Sequence, residues 1–260
     1  MSAATRVVVL GGGVGGLEAA TALGRRNNIA VTLVDRSPVH YWKPSLHEFA
    51  AGTMQHDGNC IPFAETAGKF GFSFVQSLPT AVDRTAQTVT LENGSTLPYD
   101  YLVVALGSRA NDFGIPGILD HCRFIDSLND ADTLYSEFRK ALQAARAAGQ
   151  KLSLGIVGGG ATGVQLAAEL CKAIDEAPGL GPSVRKTGLD AVLIETGPRI
   201  LPAFPEAVST AAASQLEKLG ISVRTGAMVV GADEHGFNLK SGEQIPATLR
   251  VWAAGVRASD

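Results

Sequence analysis

The chain has 260 residues, 45% of them hydrophobic and only 18% charged, which supplies material for a large core and excludes an intrinsically disordered protein. A net charge of -3 without a long basic run excludes a binder of nucleic-acid backbone, which rests on clustered Lys and Arg. Thirty glycines, about 12% of the residues against a usual ~7%, follow no collagen-like period and need a local reason.

The length allows one large domain or two smaller ones. Cys60, Cys122 and Cys171 are odd in number and far apart, so they form neither a CxxC pair nor a disulfide framework, and a reducing compartment is expected. No apolar run reaches the ~18 residues of a membrane span and no signal peptide precedes the first glycines, so a cytoplasmic location is expected. The five histidines lack HExxH or comparable spacing, and no metal site is expected.

The first element, RVVVLGGGVGGLEAATAL from Arg6, is a β-branched run, a GxGxxG turn and an alanine-rich helical stretch. It recurs as LGIVGGGATGVQLAAEL from Leu154, so that Gly11, Gly13 and Gly16 match Gly158, Gly160 and Gly163. In a dinucleotide-binding fold the first glycine permits the tight turn, the second lets backbone approach a pyrophosphate, and the third lets the helix pack on the strand. The helix start then offers N–H groups and a positive dipole end to phosphate. A glycine turn that merely joins strand to helix is the bland alternative, and the context of each copy weighs against it.

After the first copy, IAVTLVDR is a second strand ending in Asp35, placed to accept hydrogen bonds from ribose hydroxyls. Helical and strand signals follow in IPFAETAGKF from Ile61, FSFVQSL from Phe72 and AVDRTAQTVTLENGSTLPYD from Ala81, the last reading as a β-hairpin or meander about Asn93-Gly94. YDYLVVALGSRAN is a buried strand running to Ala105 and Gly107. The stretch NDFGIPGILDHCRF has little periodicity and is the best linker candidate, with a helix from about Asp130 to Ala148 beyond it.

The second glycine unit ends in a carboxylate too, Glu195 in LDAVLIETGPRI, after a longer interval. The extra residues fall in 173–188, read as an extended helix end plus loop. A helix from about Pro205 to Leu219 leads to a strand-rich stretch and to ATLRVWAAGVRAS, which repeats the Ala-x-Gly strand end at Gly255. The expected class is therefore α/β, with two Rossmann-like dinucleotide-binding domains: residues 1–113, then 114–257 inserted in the first, with 258–260 beginning the return. The C-terminal part of the first domain is expected to be absent, and such an open unit is expected to retain its ligand weakly.

The motif order VVVLGGGVGGLEAA, VTLVDR, HYWKPSLHEFAAGT, YDYLVVALGS, NDFGIPG, IVGGGATGVQLAAEL, ETGPRILP and VWAAGV resembles the type II NADH:quinone oxidoreductases over essentially the whole chain. That resemblance implies FAD on the first unit and NADH on the second, hydride passing from nicotinamide C4 to flavin N5 and then reduction of a quinone. It implies membrane-surface attachment through a later segment, and hence a peripheral protein on the cytoplasmic face of the inner membrane. By position it puts FAD diphosphate at Gly11, Gly13, Val14, Gly15 and Gly16, and FAD ribose at Asp35. The flavin edge would lie at Lys43 and Pro44, adenine near Val82, and the pyrophosphate side at Ala105 and Gly107. NADH would use Gly158, Gly160 and Gly163, with ribose at Glu195 and nicotinamide near Ala254 and Gly255.

Glu195 would repel a 2′-phosphate and so favours NADH over NADPH, although Arg199 lies four residues on. Members commonly carry Glu where this chain has Gln165, which cannot carry a proton; Glu169, one helical turn on, is the alternative proton carrier or else an ion-paired surface acid. Lys43 reads equally as a cation that stabilises reduced flavin or as a surface lysine beside Pro44. A disulfide reductase would need a paired cysteine, which the chain lacks. Two other readings stay open: a soluble reductase serving a ferredoxin-like partner, and a nucleotide-binding module without turnover.

Overall fold

The computed structural model describes residues 3–176 and 182–258. In chain order the first elements are β1 (Thr5–Leu10), α1 (Val14–Gly24), β2 (Ile29–Asp35), β3 (Val39–Tyr41), α2 (Leu46–Ala51), β4 (Cys60–Pro62), α3 (Phe63–Phe70) and β5 (Ser73–Gln76). β6 (Pro79–Asp83), β7 (Thr88–Leu91), β8 (Thr96–Pro98), β9 (Tyr101–Val104) and β10 (Ser108–Ala110) follow. Then come α4 (Ile118–His121), α5 (Leu128–Ala147), β11 (Leu152–Val157), α6 (Ala161–Glu176), α7 (Pro182–Gly188), β12 (Leu189–Ile194), α8 (Glu206–Lys218) and β13 (Ile221–Arg224). β14 (Val229–Asp233), β15 (Gly236–Leu239), β16 (Gln244–Pro246), β17 (Leu249–Trp252) and β18 (Val256–Ala258) complete the described chain.

The residues divide into two units. The first holds residues up to Lys43, His56–Ser108 and Ala258; the second holds Pro44–Gln55 and Arg109–Arg257. The second unit is therefore inserted in the first. The sequence reading left residues 44–55 with the first unit, but their contacts lie with the second, where α2 packs on α5 and α6. The reason is the apolar content of α2: Leu46, Phe49, Ala50 and Ala51 are all buried there.

In the first unit a parallel sheet runs in the order β5-β2-β1-β9. β1 is central and apolar on both faces, as a parallel strand covered on both sides must be. Val7 and Val9 pack with Leu33, Phe63 and Phe72 on one face, whereas Val8 and Leu10 pack with Val34, Val89 and Leu91 on the other. The second cover is the antiparallel meander β6-β7-β8 that the Asn93-Gly94 turn predicts. Each fully buried Val or Leu contributes about 1.5–3 kcal/mol, so the sheet core outweighs any single surface ion pair.

The second unit repeats the plan. Its parallel sheet has the order β13-β12-β11-β17, and a meander of β14, β15 and β16 covers one face. The expected linker is instead part of this core: Ile118 and Cys122 are buried with Phe237, Leu239 and Trp252, and Arg123 bridges to β17 beside Val251. Its lack of periodicity reflects an irregular backbone buried by strands remote in sequence. The stretch 173–188 also differs from expectation, since α7 replaces much of the loop; residues 177–181 lie outside the described residues.

Arg6 and Asp100 fasten the start of β1 to the start of β9. The Arg6 guanidinium donates to both Asp100 oxygens at 3.2 and 2.8 Å, and the Arg6 backbone N–H adds a bond of 2.7 Å. These bonds hold the Asp100 carboxyl down to about 2. A carboxyl lowered on folding stabilises the fold above its unfolded pKa, ~3.9, and loses that contribution as pH falls toward the folded value. Urea midpoints of the native protein and Asp100→Asn should therefore differ at pH 7 and converge between about pH 4 and pH 2; a constant difference would disprove the assignment.

Candidate functional site

Each unit carries one glycine turn, and the two are built alike. Gly11 has φ +99° and Gly158 has φ +115°, a region open to glycine. A Cβ on Gly11 would lie 2.4 Å from the Ala105 carbonyl oxygen, and one on Gly158 would lie 2.5 Å from that of Ala253. The repeated strand ends meet the turns through backbone: Ala105 N–H donates to Leu10 O and Ala253 N–H to Val157 O, bringing β9 and β17 up against the turns.

The third glycines close the turns. A Cβ on Gly16 would meet Gly11 O at 1.7 Å, and one on Gly163 would meet Gly158 O at 2.0 Å. By contrast nothing beyond the adjoining residues and the helix's own backbone lies within 4 Å of that position at Gly13, Gly15 and Gly160. Their openness is where backbone can approach a ligand. α1 begins at Val14, which is 51% exposed, with no side-chain cap at Gly13. Neither α1 nor α6 has an acidic residue in its first turn, so the positive end of each helix is left for an anion.

The two carboxylates hold their turns in the same way. Asp35 accepts the Gly12 N–H at 2.5 Å through Oδ2 and the Ser37 N–H at 2.8 Å through Oδ1. Glu195 accepts the Gly159 N–H at 2.7 Å through Oε2 and the Gly197 N–H at 2.6 Å through Oε1. One bond per oxygen fixes the carboxylate and leaves lone pairs for hydroxyl donors. A helix start without an acidic residue in its first turn, an open second glycine and a fixed carboxylate make each unit fit a dinucleotide.

The middle glycines, Gly12 and Gly159, carry constraints that a GxGxxG reading passes over. A Cβ on Gly12 would lie 2.2 Å from Phe63 Cζ, and one on Gly159 would lie 2.9 Å from Glu195 Cβ. The signal was present in both copies as three consecutive glycines. His40, whose Nδ1 lies 2.9 Å from Gly12 O, was also missed. So was Phe113, whose ring would contact a Cβ on Gly255 at 2.8 Å, whereas Gly107 has no such neighbour.

The remaining predicted residues are dispersed. In the first unit Lys43 Nζ donates to Ser108 O at 2.6 Å, which places the ammonium at the strand end after Ala105 and Gly107. Pro44 begins the segment assigned to the second unit. Val82 lies on β6 of the meander and is 41% exposed. In the second unit Gln165 is exposed on α6, while Glu169 is partly buried and accepts from Thr53 Oγ1 at 2.7 Å, with Lys172 Nζ 3.7 Å away.

Arg199 is committed to the fold. Its guanidinium donates to the carbonyls of Leu201, Pro202 and Phe204 and to Ser209 Oγ. The three cysteines form no disulfide, and burial pushes the Cys122 thiol up to about 12 and the Cys171 thiol to about 11. Such thiols are poor nucleophiles, and no cysteine pair is built for disulfide exchange. Among the described residues no group of three or more His, Cys, Asp or Glu could hold a metal ion, and no helix is long and apolar enough to cross a membrane.

The chain is similar to the type II NADH:quinone oxidoreductase of Haemophilus influenzae, with 37% identity over an alignment of 290 positions covering 97% of this chain and 64% of that protein. It is 34% identical to the Staphylococcus aureus protein of the same name, covering 98% of this chain and 65% of the relative. It thus spans slightly less than two thirds of these relatives. Among solved structures it is similar in fold to NDH2 from Plasmodium falciparum in complex with NADH, with a TM-score of 0.87 at 22% identity over 98% of this chain and 56% of that one. It is also similar to the NADH-bound water-forming NADH oxidase of Lactobacillus brevis, with a TM-score of 0.79 at 21% identity over 98% and 54%. The family model described as pyridine nucleotide-disulphide oxidoreductase matches residues 5–260, and the chain belongs to that family.

Proposed function

We propose that the protein is an FAD-dependent NADH dehydrogenase that reduces a quinone. The observation that carries this reading is the duplicated frame: two turns, each with an open second glycine, a helix start free of acidic residues and a carboxylate fixed by two N–H donors. The names of its relatives support NADH as donor and a quinone as acceptor, and FAD is assigned to the first unit and NADH to the second by the resemblance in motif order.

FAD and NADH, when bound, would supply the two-electron redox chemistry that carries electrons to a quinone. The chain's own residues bind and orient. Gly11, Gly13, Val14, Gly15 and Gly16 would cradle the FAD diphosphate, Asp35 would take its ribose hydroxyls, and Val82, Ala105 and Gly107 would border it. The Lys43 ammonium, held by Ser108 O, favours negative charge developing nearby. Gly158, Gly160 and Gly163 would cradle the NADH diphosphate, Glu195 would take the adenosine ribose, and Gly255 would border the nicotinamide end. Glu195 disfavours a 2′-phosphate, and Arg199 is occupied by four acceptors and does not serve one. Gln165 can hydrogen-bond a carboxamide but carries no proton; Glu169 serves to tie Thr53 to α6. A quinone dissolves in the bilayer, so the protein works at a membrane surface, on the cytoplasmic side where NADH is supplied.

The second and third glycines should separate binding from folding. Gly160→Ala should weaken NADH binding at least about tenfold while the melting temperature stays near that of the native protein. Gly163→Ala should instead destabilise the fold by roughly 1–3 kcal/mol through overpacking against Gly158. Titration and thermal melting of both variants check this, and equal melting losses would contradict it.

Anaerobic mixing of the FAD-loaded protein with NADH should bleach the flavin, NADPH should do so at least about tenfold less effectively, and a soluble quinone should restore the colour. Restoration by a ferredoxin and not by a quinone would replace the acceptor assignment. Absence of bleaching would reduce the chain to a nucleotide-binding module.

A further inference from the structure

The two glycine turns differ in what holds their middle carbonyl. In the second unit the Gly159 oxygen accepts the backbone N–H of Leu201 at 2.7 Å. In the first unit the Gly12 oxygen lies 2.9 Å from His40 Nδ1, and because a carbonyl can only accept, the imidazole carries a proton on Nδ1. One turn is held by the main chain and the other by a side chain.

The consequence follows from peptide geometry. The Gly12 carbonyl and the Gly13 N–H belong to one planar trans unit and point in opposite directions. Anchoring the carbonyl to His40 therefore sets the direction of the Gly13 N–H, on the glycine whose Cβ position is open. The Gly12 N–H is bound to Asp35, so both polar groups of this residue are clamped by side chains.

The imidazole is itself fixed. His40 sits on β3 opposite Ile61 of β4, and its ring meets Phe63 edge-on at a centroid distance of 6.4 Å. Phe63 is 1% exposed, donates its N–H to Pro38 O at 3.0 Å and packs on Phe74 with ring centroids 4.9 Å apart. A further tie links this clamp to the carboxylate, since Ser37 donates its N–H to Asp35 and its hydroxyl to Val39 O.

We propose that His40 is a positioning residue of the first dinucleotide site: its Nδ1–H fixes the Gly12–Gly13 peptide so that the Gly13 N–H is preset toward a bound pyrophosphate. The inference rests on the assignment of FAD to the first unit. The second unit supplies an internal control, because its equivalent bond is made by backbone and no substitution at His40 removes it.

The test measures dissociation constants for FAD and NADH on the apo-protein, by flavin and nicotinamide fluorescence, in the native chain, His40→Ala and His40→Asn. His40→Ala should weaken FAD at least about tenfold and leave NADH within about twofold. His40→Asn, whose amide nitrogen stands where Nδ1 stood, should recover FAD affinity to within about threefold of native. Undiminished FAD affinity in His40→Ala, or equal losses in the Ala and Asn variants, would overturn the proposal while leaving the FAD assignment intact. Parallel loss of FAD and NADH in His40→Ala would show a general structural role and overturn it as well. Failure of the native chain to bind FAD would overturn the site assignment, and the proposal with it.

Discussion

Two carbonyl oxygens that leave no room for a methyl group organise this molecule. Gly11 O lies where a side chain on Gly16 would have to be, and Gly158 O does the same to Gly163. Each contact brings a helix start onto the end of a central strand more closely than any other residue would allow. From that approach follow the exposed N–H groups, the aim of the helix dipole and the open position at the second glycine. The backbone of the strand that arrives from far along the chain lies against the turn, with the carbonyls of Ala105 and Ala253 where a side chain on Gly11 or Gly158 would have to be.

The same plan appears twice, with differences that bear on chemistry. Both units have four parallel strands in equivalent order and an antiparallel meander over one face. Both use a carboxylate with one N–H donor on each oxygen. They diverge around the middle glycine, where Phe63 and His40 crowd one turn and Glu195 and Leu201 the other. Arg199 belongs to this divergence as well: its guanidinium braces the segment that presents Leu201 to Gly159.

The glycine turns, the carboxylates and the central strands were legible because their determinants are local: β-branched runs, fixed glycine spacing and an acid at a strand end. The stretch 111–124 was not. Its apolar residues have no period of their own, yet Ile118 and Cys122 enter a core made by β14, β15 and β17 more than a hundred residues later. Segment 44–55 was misplaced for a similar reason, since nothing in LHEFAA says which helices will cover it. α7 escaped notice because glycine and proline nearby read as a loop.

The sequence by itself determined that two dinucleotide frames exist, where each begins and which carboxylate belongs to each, because strand, turn and helix there lie next to one another in the chain. Only the tertiary structure decided that His40 clamps Gly12, that Arg199 is consumed by the fold, and that Glu169 meets Thr53. Those bonds join residues separated by 28 positions, by a bend within one loop, and by 116 positions respectively. The excess glycine that marked the composition therefore has two parts: some glycines leave a turn open to its surroundings, and others make room for the protein's own backbone.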